Sequence, residues 1–325
     1  MTNPQLVVQT QSSFLLPPSI AEMGEHAGKA FIDFFMAQIR NKNTRAAYGR
    51  NVFRFLEWID EHGVALSAVE PFHVSAYIED LGRSLEDGGQ GMAVASVKQH
   101  LSSIRVLGDF LVVRQVLPKN PATEVRSPRL VVRTGKTPVL TGAEARELFA
   151  SIDPGTPIGL RDRALMGMMI YTFGRISAVL NMEIEDYYQV GRTMKIRLLE
   201  KGGRDHEMPV HHSLIEYLDA YLAEIRETEG PLFRSINRQR TGFTDRRLDR
   251  REALAMVKRR TKAAGLGGKF SNHTFRGTGI TAYLTNDGQL ERAQYMAGHA
   301  SPTTTKLYDR REQEATLDEV ERIIL

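Results

Sequence analysis

The chain has 325 residues, 42% hydrophobic and 25% charged, which is length for about two domains at roughly 150 residues each. That composition excludes a disordered or collagen-like chain, and the absence of cysteine excludes disulfides, cysteine-based zinc sites and thiol nucleophiles. The net charge of +4 says little about partners, and the apolar runs fall short of the ~20 residues a membrane span needs. The opening MTNPQLVVQTQSS is polar, unlike a signal peptide, so a soluble cytoplasmic protein is expected.

Residues 1–26 are rich in Gln, Ser and Pro and read as a flexible leader. A helical pattern starts near Gly28, with Phe31, Phe34, Phe35 and Ile39 on one face. In NTRAAYGRNVFRFLEWIDEHG, the offsets of Tyr48, Val52, Phe55, Leu56 and Ile59 predict an amphipathic helix. Asn43 or Thr44 is its expected N-cap and Gly63 its stop. Two more helices are predicted, His73–Leu81 and Val94–Val113, with Gly88, Gly89 and Gly91 in the loop between them. The prolines of PKNPATEVRSPR end this helical region, and residues 127–137 read as a linker.

Beyond the linker, Thr141 with Glu144 resembles a capping box, and a long helix is predicted over Arg161–Tyr171. Met194, Ile196 and Leu198 alternate with Lys195 and Arg197, which predicts a strand. Lys201-Gly202-Gly203-Arg204 reads as a turn and His206–Val210 as the return strand; helices dominate from Ser213 onward. The expected fold is mainly α. A helical N-terminal domain (27–126) precedes an α+β domain (138–325) with a small antiparallel sheet.

Charge is unevenly spread. Between Gly230 and Arg276 basic residues exceed acidic ones by ten, which leaves the rest of the chain at −6. Such a block is the footprint of a phosphate-backbone partner, with a solvated helix face as the alternative. Arg246, Arg247, Arg250, Arg251, Lys258, Arg259 and Arg260 are the candidate DNA contacts there, joined by Arg45 in the helical domain. No nucleophile elbow, P-loop, dinucleotide fingerprint or zinc-protease motif is present. His211 and His212 are adjacent, so their rings are expected to point apart; neither a metal nor another cofactor is expected.

Four segments remain: YTFGRISAVLNMEIEDY, LLEKGGRDHEMPV, NHTFRGTGITAYL and MAGHASPTTTKLYDRR. Together they resemble the signature of the tyrosine recombinase (phage-type integrase) family. That pattern is an Arg near a helix start, a Lys on a hairpin, an H-x-x-R box, and G-H followed by a Tyr nine residues after the His. Arg175, Lys201, His273, Arg276, His299 and Tyr308 match in order. NTRAAY…FLEW and NPATEV resemble the family's helical core-binding domain, so the resemblance spans about residues 28–325.

The resemblance implies a two-domain, C-shaped clamp on duplex DNA. It implies cleavage through a 3′-phosphotyrosyl intermediate on Tyr308, without metal or ATP. Arg175 and Arg276 would clamp the nonbridging oxygens, since planar guanidiniums offer forked donors. His299 would be a third donor, His273 the base, and Lys201 the acid for the leaving 5′-oxygen. The implied partner set is double-stranded DNA, a homotetramer on two paired sites linked by tail helices, and accessory DNA-bending proteins. The tail stripe Leu317, Val320 and Ile324 would be the docking element.

Each residue also has a structural alternative. Tyr308 could be a packed tyrosine like Tyr283 or Tyr295, Arg175 a helix cap or a partner of Glu183, and the histidines core groups. One departure stands out. The family's acidic residue three positions after the first Arg is Ala178 here, with Glu183 and Asp186 as candidate substitutes. Two other functions stay open at this point: a DNA-binding accessory protein with a weakened site, and a monomeric topoisomerase-like enzyme.

Overall fold

The computed structural model of the chain describes residues 16–130, 135, 137–200, 204–267, 269–309 and 321. Lys201 and the tail positions Leu317, Val320 and Ile324 lie outside the described residues. The chain divides into two compact units, Met1–Val131 and Val132–Leu325, and the division falls inside the stretch 127–137.

The first unit is helical: α1 (Pro18–Ala21), α2 (Glu25–Asp33) continuing through a π-helical turn at Phe34–Gln38, α3 (Lys42–Glu61), α4 (Pro71–Gly82) and α5 (Val94–Val113). Val52, Phe55, Leu56 and Ile59 of α3 are buried at the predicted offsets, against Val97, Leu101, Ile104 and Leu111 of α5 in the same core. Each such side chain contributes about 1.5–3 kcal/mol of burial energy. Phe31, Phe34 and Phe35 add edge-to-face pairs at 4.9–5.2 Å. Two polar pairs cross this core, Asn51 Nδ2 donating to Ser103 Oγ at 3.0 Å and Tyr77 OH meeting His100 Nδ1 at 2.9 Å.

Two expectations change here. Residues 18–21 of the expected leader form α1, and Ile20 of α1 is fully buried in the helical core. The cap of α3 is Asn41, not Asn43 or Thr44. Its Oδ1 accepts from the backbone N–H groups of Asn43 and Thr44, so the helix starts two or three residues earlier.

The second unit opens with α6 (Gly142–Ala150), whose Thr141–Glu144 capping box is formed in both directions. α7 (Pro157–Tyr171) starts four residues before the predicted helix, capped by Thr156. α8 (Ile176–Asn181) leads to a three-stranded antiparallel sheet of β1 (Tyr187–Val190), β2 (Thr193–Glu200) and β3 (Arg204–Pro209), in that order. β2 and β3 pair from Lys195↔Pro209 to Glu200↔Arg204, which leaves residues 201–203 as their connection. Ile196 and Leu198 face the core, as their alternation predicts.

α9 (His212–Ile225), a short hairpin of β4 (Arg234–Ile236) and β5 (Phe243–Arg247), and α10 (Arg250–Ala263) follow. Last come α11 (Asn272–Thr285), α12 (Leu290–Met296) and α13 (Pro302–Lys306). β1 and the β4–β5 hairpin are additions to the sequence expectation. α7 is the centre of this domain, buried nearly all round between α9 and α11. The rings of His211 and His212 do not point apart. His211 sits at the N-cap of α9, where its ring stacks on Tyr171 at 4.3 Å and lies 4.1 Å from the ring of His212.

Candidate active site

Arg175 is the N-cap residue of α8, and its Nη2 lies 3.5 Å from the carbonyl oxygen of Gly298. The turn before it is set by Thr172. Its hydroxyl donates to the Met168 carbonyl at 2.6 Å and accepts the Gly174 N–H at 3.1 Å. Phe173 in this turn has φ +53°, a left-handed conformation uncommon for a bulky residue. That twist aims its carbonyl at Arg276, whose Nη1 donates to it.

Arg276 and His273 lie one turn apart on α11. Arg276 is 1% exposed; its Nη2 donates to the Ala297 carbonyl at 2.6 Å and to His299 Nε2 at 2.7 Å. α11 reaches this depth because Gly279 lies against α7. A Cβ there would sit 2.0 Å from the Ile170 carbonyl oxygen.

His299 follows α12 through Gly298, whose φ of +56° makes the left-handed turn that ends the helix. The His299 N–H returns to the Gln294 carbonyl at 3.1 Å, and the Gln294 amide donates to the His299 carbonyl at 3.1 Å. His299 Nδ1 meets Thr305 Oγ1 at 2.9 Å, and Thr305 is fully buried in α13.

Tyr308 comes two residues after the end of α13 and is 6% exposed. Its OH lies 2.6 Å from His273 Nε2, its ring is nearly parallel to that of His299 at 6.1 Å, and its carbonyl accepts from Thr281. Gly277 leaves the slot for this ring; a Cβ there would lie 3.2 Å from Tyr308 Cε1. Arg175, His273, Arg276, His299 and Tyr308 therefore meet in one place, brought from α8, α11, the turn after α12 and the end of α13. Tyr295, in contrast, is 65% exposed, and Tyr283 packs beside Phe173.

The electrostatics follow from burial beside two guanidiniums. His299 is pushed down to about 4 by desolvation and then by Arg276, Arg175 and His273. Desolvation, Arg276 and Arg175 likewise hold His273 below the usual imidazole range. Burial raises the Tyr308 phenol above its ordinary value, and the two guanidiniums only partly offset it. The phenol is thus not acidic by itself, and a neutral imidazole stands at its oxygen.

Ala178 is buried in the core, and the two candidate substitutes for a carboxylate are engaged elsewhere. Glu183 pairs with Arg247 rather than Arg175, and Asp186 pairs with Arg197 at 2.8 Å. Arg276 is held by the carbonyls of Phe173 and Ala297 and by the His299 imidazole. These carbonyls, Gly277 and Thr305 were not legible as site components. Backbone groups carry no side-chain signature, and Thr305 is one of three consecutive threonines.

The candidate DNA-contacting residues divide by their partners. Arg250, Arg251 and Lys258 are exposed on α10. Arg247 donates to the carbonyls of Leu180 and Met182, tying β5 to the end of α8. Arg259 and Arg260 donate to buried Asp162 at 2.9 and 2.8 Å. Arg246 pairs with Glu252 at 2.6 Å, and Arg45 Nε donates to the Ile39 carbonyl at 3.0 Å. Among the described residues, no group of three His, Asp or Glu side chains could hold a metal ion, and no helix is long and apolar enough to cross a membrane.

A phenol against a neutral imidazole, flanked by two guanidiniums, can form a nucleophile beside a bound phosphodiester. The family profile described as "Phage integrase family" matches residues 138–315, and that of its N-terminal SAM-like domain matches residues 29–115. The chain belongs to the phage integrase family and is an enzyme of the tyrosine recombinase type, acting in site-specific recombination. It is 28% identical to the tyrosine recombinase XerD of Chlorobaculum tepidum over 82% of this chain and 85% of that protein. Its fold is similar to the XerH recombinase in a post-cleavage complex with its difH substrate (TM-score 0.70, 17% identity, covering 95% of this chain and 97% of that one). It is also similar to lambda integrase in a tetramer bound to a Holliday junction (TM-score 0.65, 15% identity, 88% and 79% covered).

Proposed function

We propose that this recombinase cuts and rejoins DNA strands through Tyr308, and the observation that carries the reading is the 2.6 Å contact of Tyr308 OH with His273 Nε2. His273 takes the phenol proton as the phenolate oxygen attacks phosphorus. A P–O bond to Tyr308 forms, the P–O5′ bond breaks, and Lys201 donates a proton to the leaving 5′-oxygen. Arg175 and Arg276 neutralise charge on the nonbridging oxygens, and His299 adds a donor there. A preorganised donor of this kind is worth about 3–4 kcal/mol in the transition state. Rejoining reverses the steps with a new 5′-hydroxyl, so the bond energy is kept in the phosphotyrosine.

Exposed Arg250, Arg251 and Lys258 serve as phosphate contacts, while Arg247, Arg259 and Arg260 hold the elements that present them. Binding is therefore salt-dependent. Four protomers act on two paired sites; this reading is supported by the similarity in fold to lambda integrase, seen as a tetramer bound to a Holliday junction.

Covalent trapping tests the reading. Wild type and Tyr308→Phe are incubated without metal on nicked duplexes carrying candidate sites, then run on denaturing gels. A covalent adduct for wild type and binding without adduct for Tyr308→Phe is the expected result. An adduct that persists in Tyr308→Phe refutes the assignment, and binding without any wild-type adduct favours an accessory DNA-binding role.

A further inference from the structure

The contacts of His299 fix its proton. A guanidinium can only donate, so Arg276 Nη2 at 2.7 Å makes His299 Nε2 an acceptor. The single proton of the neutral ring then sits on Nδ1 and is donated to Thr305 Oγ1 at 2.9 Å. In this state His299 cannot donate to a phosphate oxygen. Charging the ring would supply the missing N–H, but burial and the neighbouring guanidiniums oppose the imidazolium. The remaining route is exchange of tautomer in the neutral ring. That exchange needs a partner at Nδ1 able to donate as well as accept. A carboxylate or a carbonyl would lock the proton on Nδ1, whereas a hydroxyl does both.

We propose that Thr305 is a positioning residue that lets neutral His299 change from acceptor of Arg276 to donor toward a DNA phosphate. This rests on the reading of His299 as a phosphate donor. When a phosphate oxygen takes the Arg276 N–H, Nε2 is released from its donor. Solvent water entering with the DNA gives a proton to Nε2 and takes the one from Nδ1, so neither the ring nor the water changes charge overall. The Thr305 hydroxyl rotates to donate to Nδ1. Thr305 is fully buried, which holds this hydroxyl in register with the ring.

Two measurements test the proposal. In the first, full-length 15N-labelled Tyr308→Phe is observed by long-range 1H–15N correlation, free and on a nicked duplex carrying the recombination site. The expected result is His299 protonated on Nδ1 when free and on Nε2 when bound; the same tautomer in both states overturns the proposal. In the second, single-turnover cleavage is compared among variants. Thr305→Val keeps the shape and loses the hydroxyl, and should slow cleavage about tenfold, the factor that one net hydrogen bond represents. Thr305→Ser should recover most of the rate. Thr305→Val at the wild-type rate, or Thr305→Ser as slow as Thr305→Val, overturns the proposal. His299→Ala separates the two readings: undiminished cleavage there refutes the donor role of His299 itself.

Discussion

Asp162 is fully buried, and its two oxygens are held by three arginines. Oδ1 accepts from Arg161 Nε at 3.2 Å and Nη2 at 2.7 Å, and Oδ2 accepts from Arg259 at 2.9 Å and Arg260 at 2.8 Å. Asp162→Ala would leave these cations without a counterion, but not equally. The Arg259 side chain is 43% exposed and can turn to water, so its share is small. Arg161 is 4% exposed and keeps only its bond to the Arg234 carbonyl. The loss is therefore that of a broken buried ion pair, about 3–5 kcal/mol. At about 2–4 °C per kcal/mol, the catalytic domain should melt roughly 6–20 °C lower. Circular dichroism and urea titration of the full chain measure this. Trp58, the single tryptophan, lies in the helical domain and should report no change in that domain's transition. Arg161→Met combined with Asp162→Leu should recover most of the loss, because the apolar pair leaves no buried charge at position 161. A loss below about 1 kcal/mol for Asp162→Ala would refute the assignment of a buried, structural ion cluster.

Three other outcomes are expected. Gly279→Ala places a Cβ 2.0 Å from the Ile170 carbonyl, so α11 must retreat from α7; a destabilisation of about 1–3 kcal/mol in urea titration is expected, with a loss of cleavage because Arg276 moves with the helix. In its proposed role as base His273 would act in its neutral form; it is held below its ordinary 6.5, while Tyr308 is held above 10.0. Single-turnover cleavage should thus be flat across neutral pH, fall only below 6.5, and show no rise from free phenolate before 10.0; an acid limb centred above 6.5 would refute this. His100 is neutral in the helical core, pushed down to about 4 by burial and then by Arg54. Its folded value lies below its unfolded one, so stability is full above 6.5 and is lost as pH falls toward 4, by at most about 3 kcal/mol. Replacing His100 with Asn should flatten that part of the stability–pH curve, read by Trp58 fluorescence in urea.

Local patterns carried much of this protein. The spacing of Val52, Phe55, Leu56 and Ile59 was legible because a helix has one buried face, and the Thr141–Glu144 box because capping is decided within one turn. The alternation around Ile196 and Leu198 marked a strand for the same kind of reason. Arg175, His273, Arg276, His299 and Tyr308 were legible only as an ordered set, since each type is common alone. Asn41 was missed as a cap because Asn43 and Thr44 are equally capable side chains, and where the chain enters the helix depends on what precedes it. The β4–β5 hairpin was missed because a three-residue strand and FTDRR show no clean alternation.

Other features were decided by tertiary structure alone. Arg247, Arg250, Arg251, Arg259 and Arg260 are indistinguishable by type, yet contacts to backbone carbonyls, Glu183 and Asp162 tie three of them into the protein, while two stand in solvent. Glu183 and Asp186 were suitable carboxylates, but Arg247 and Arg197 are closer to them in space. The carbonyls of Phe173 and Ala297 belong to residues with no polar side chain, and they become ligands of Arg276 only when α11, the turn after α7 and the end of α12 come together. Side-chain types and their order thus declare the chemistry available to this chain. Which groups touch, which are desolvated and which nitrogen bears a proton depend on distances between segments far apart in sequence, and those exist only once the domain has packed.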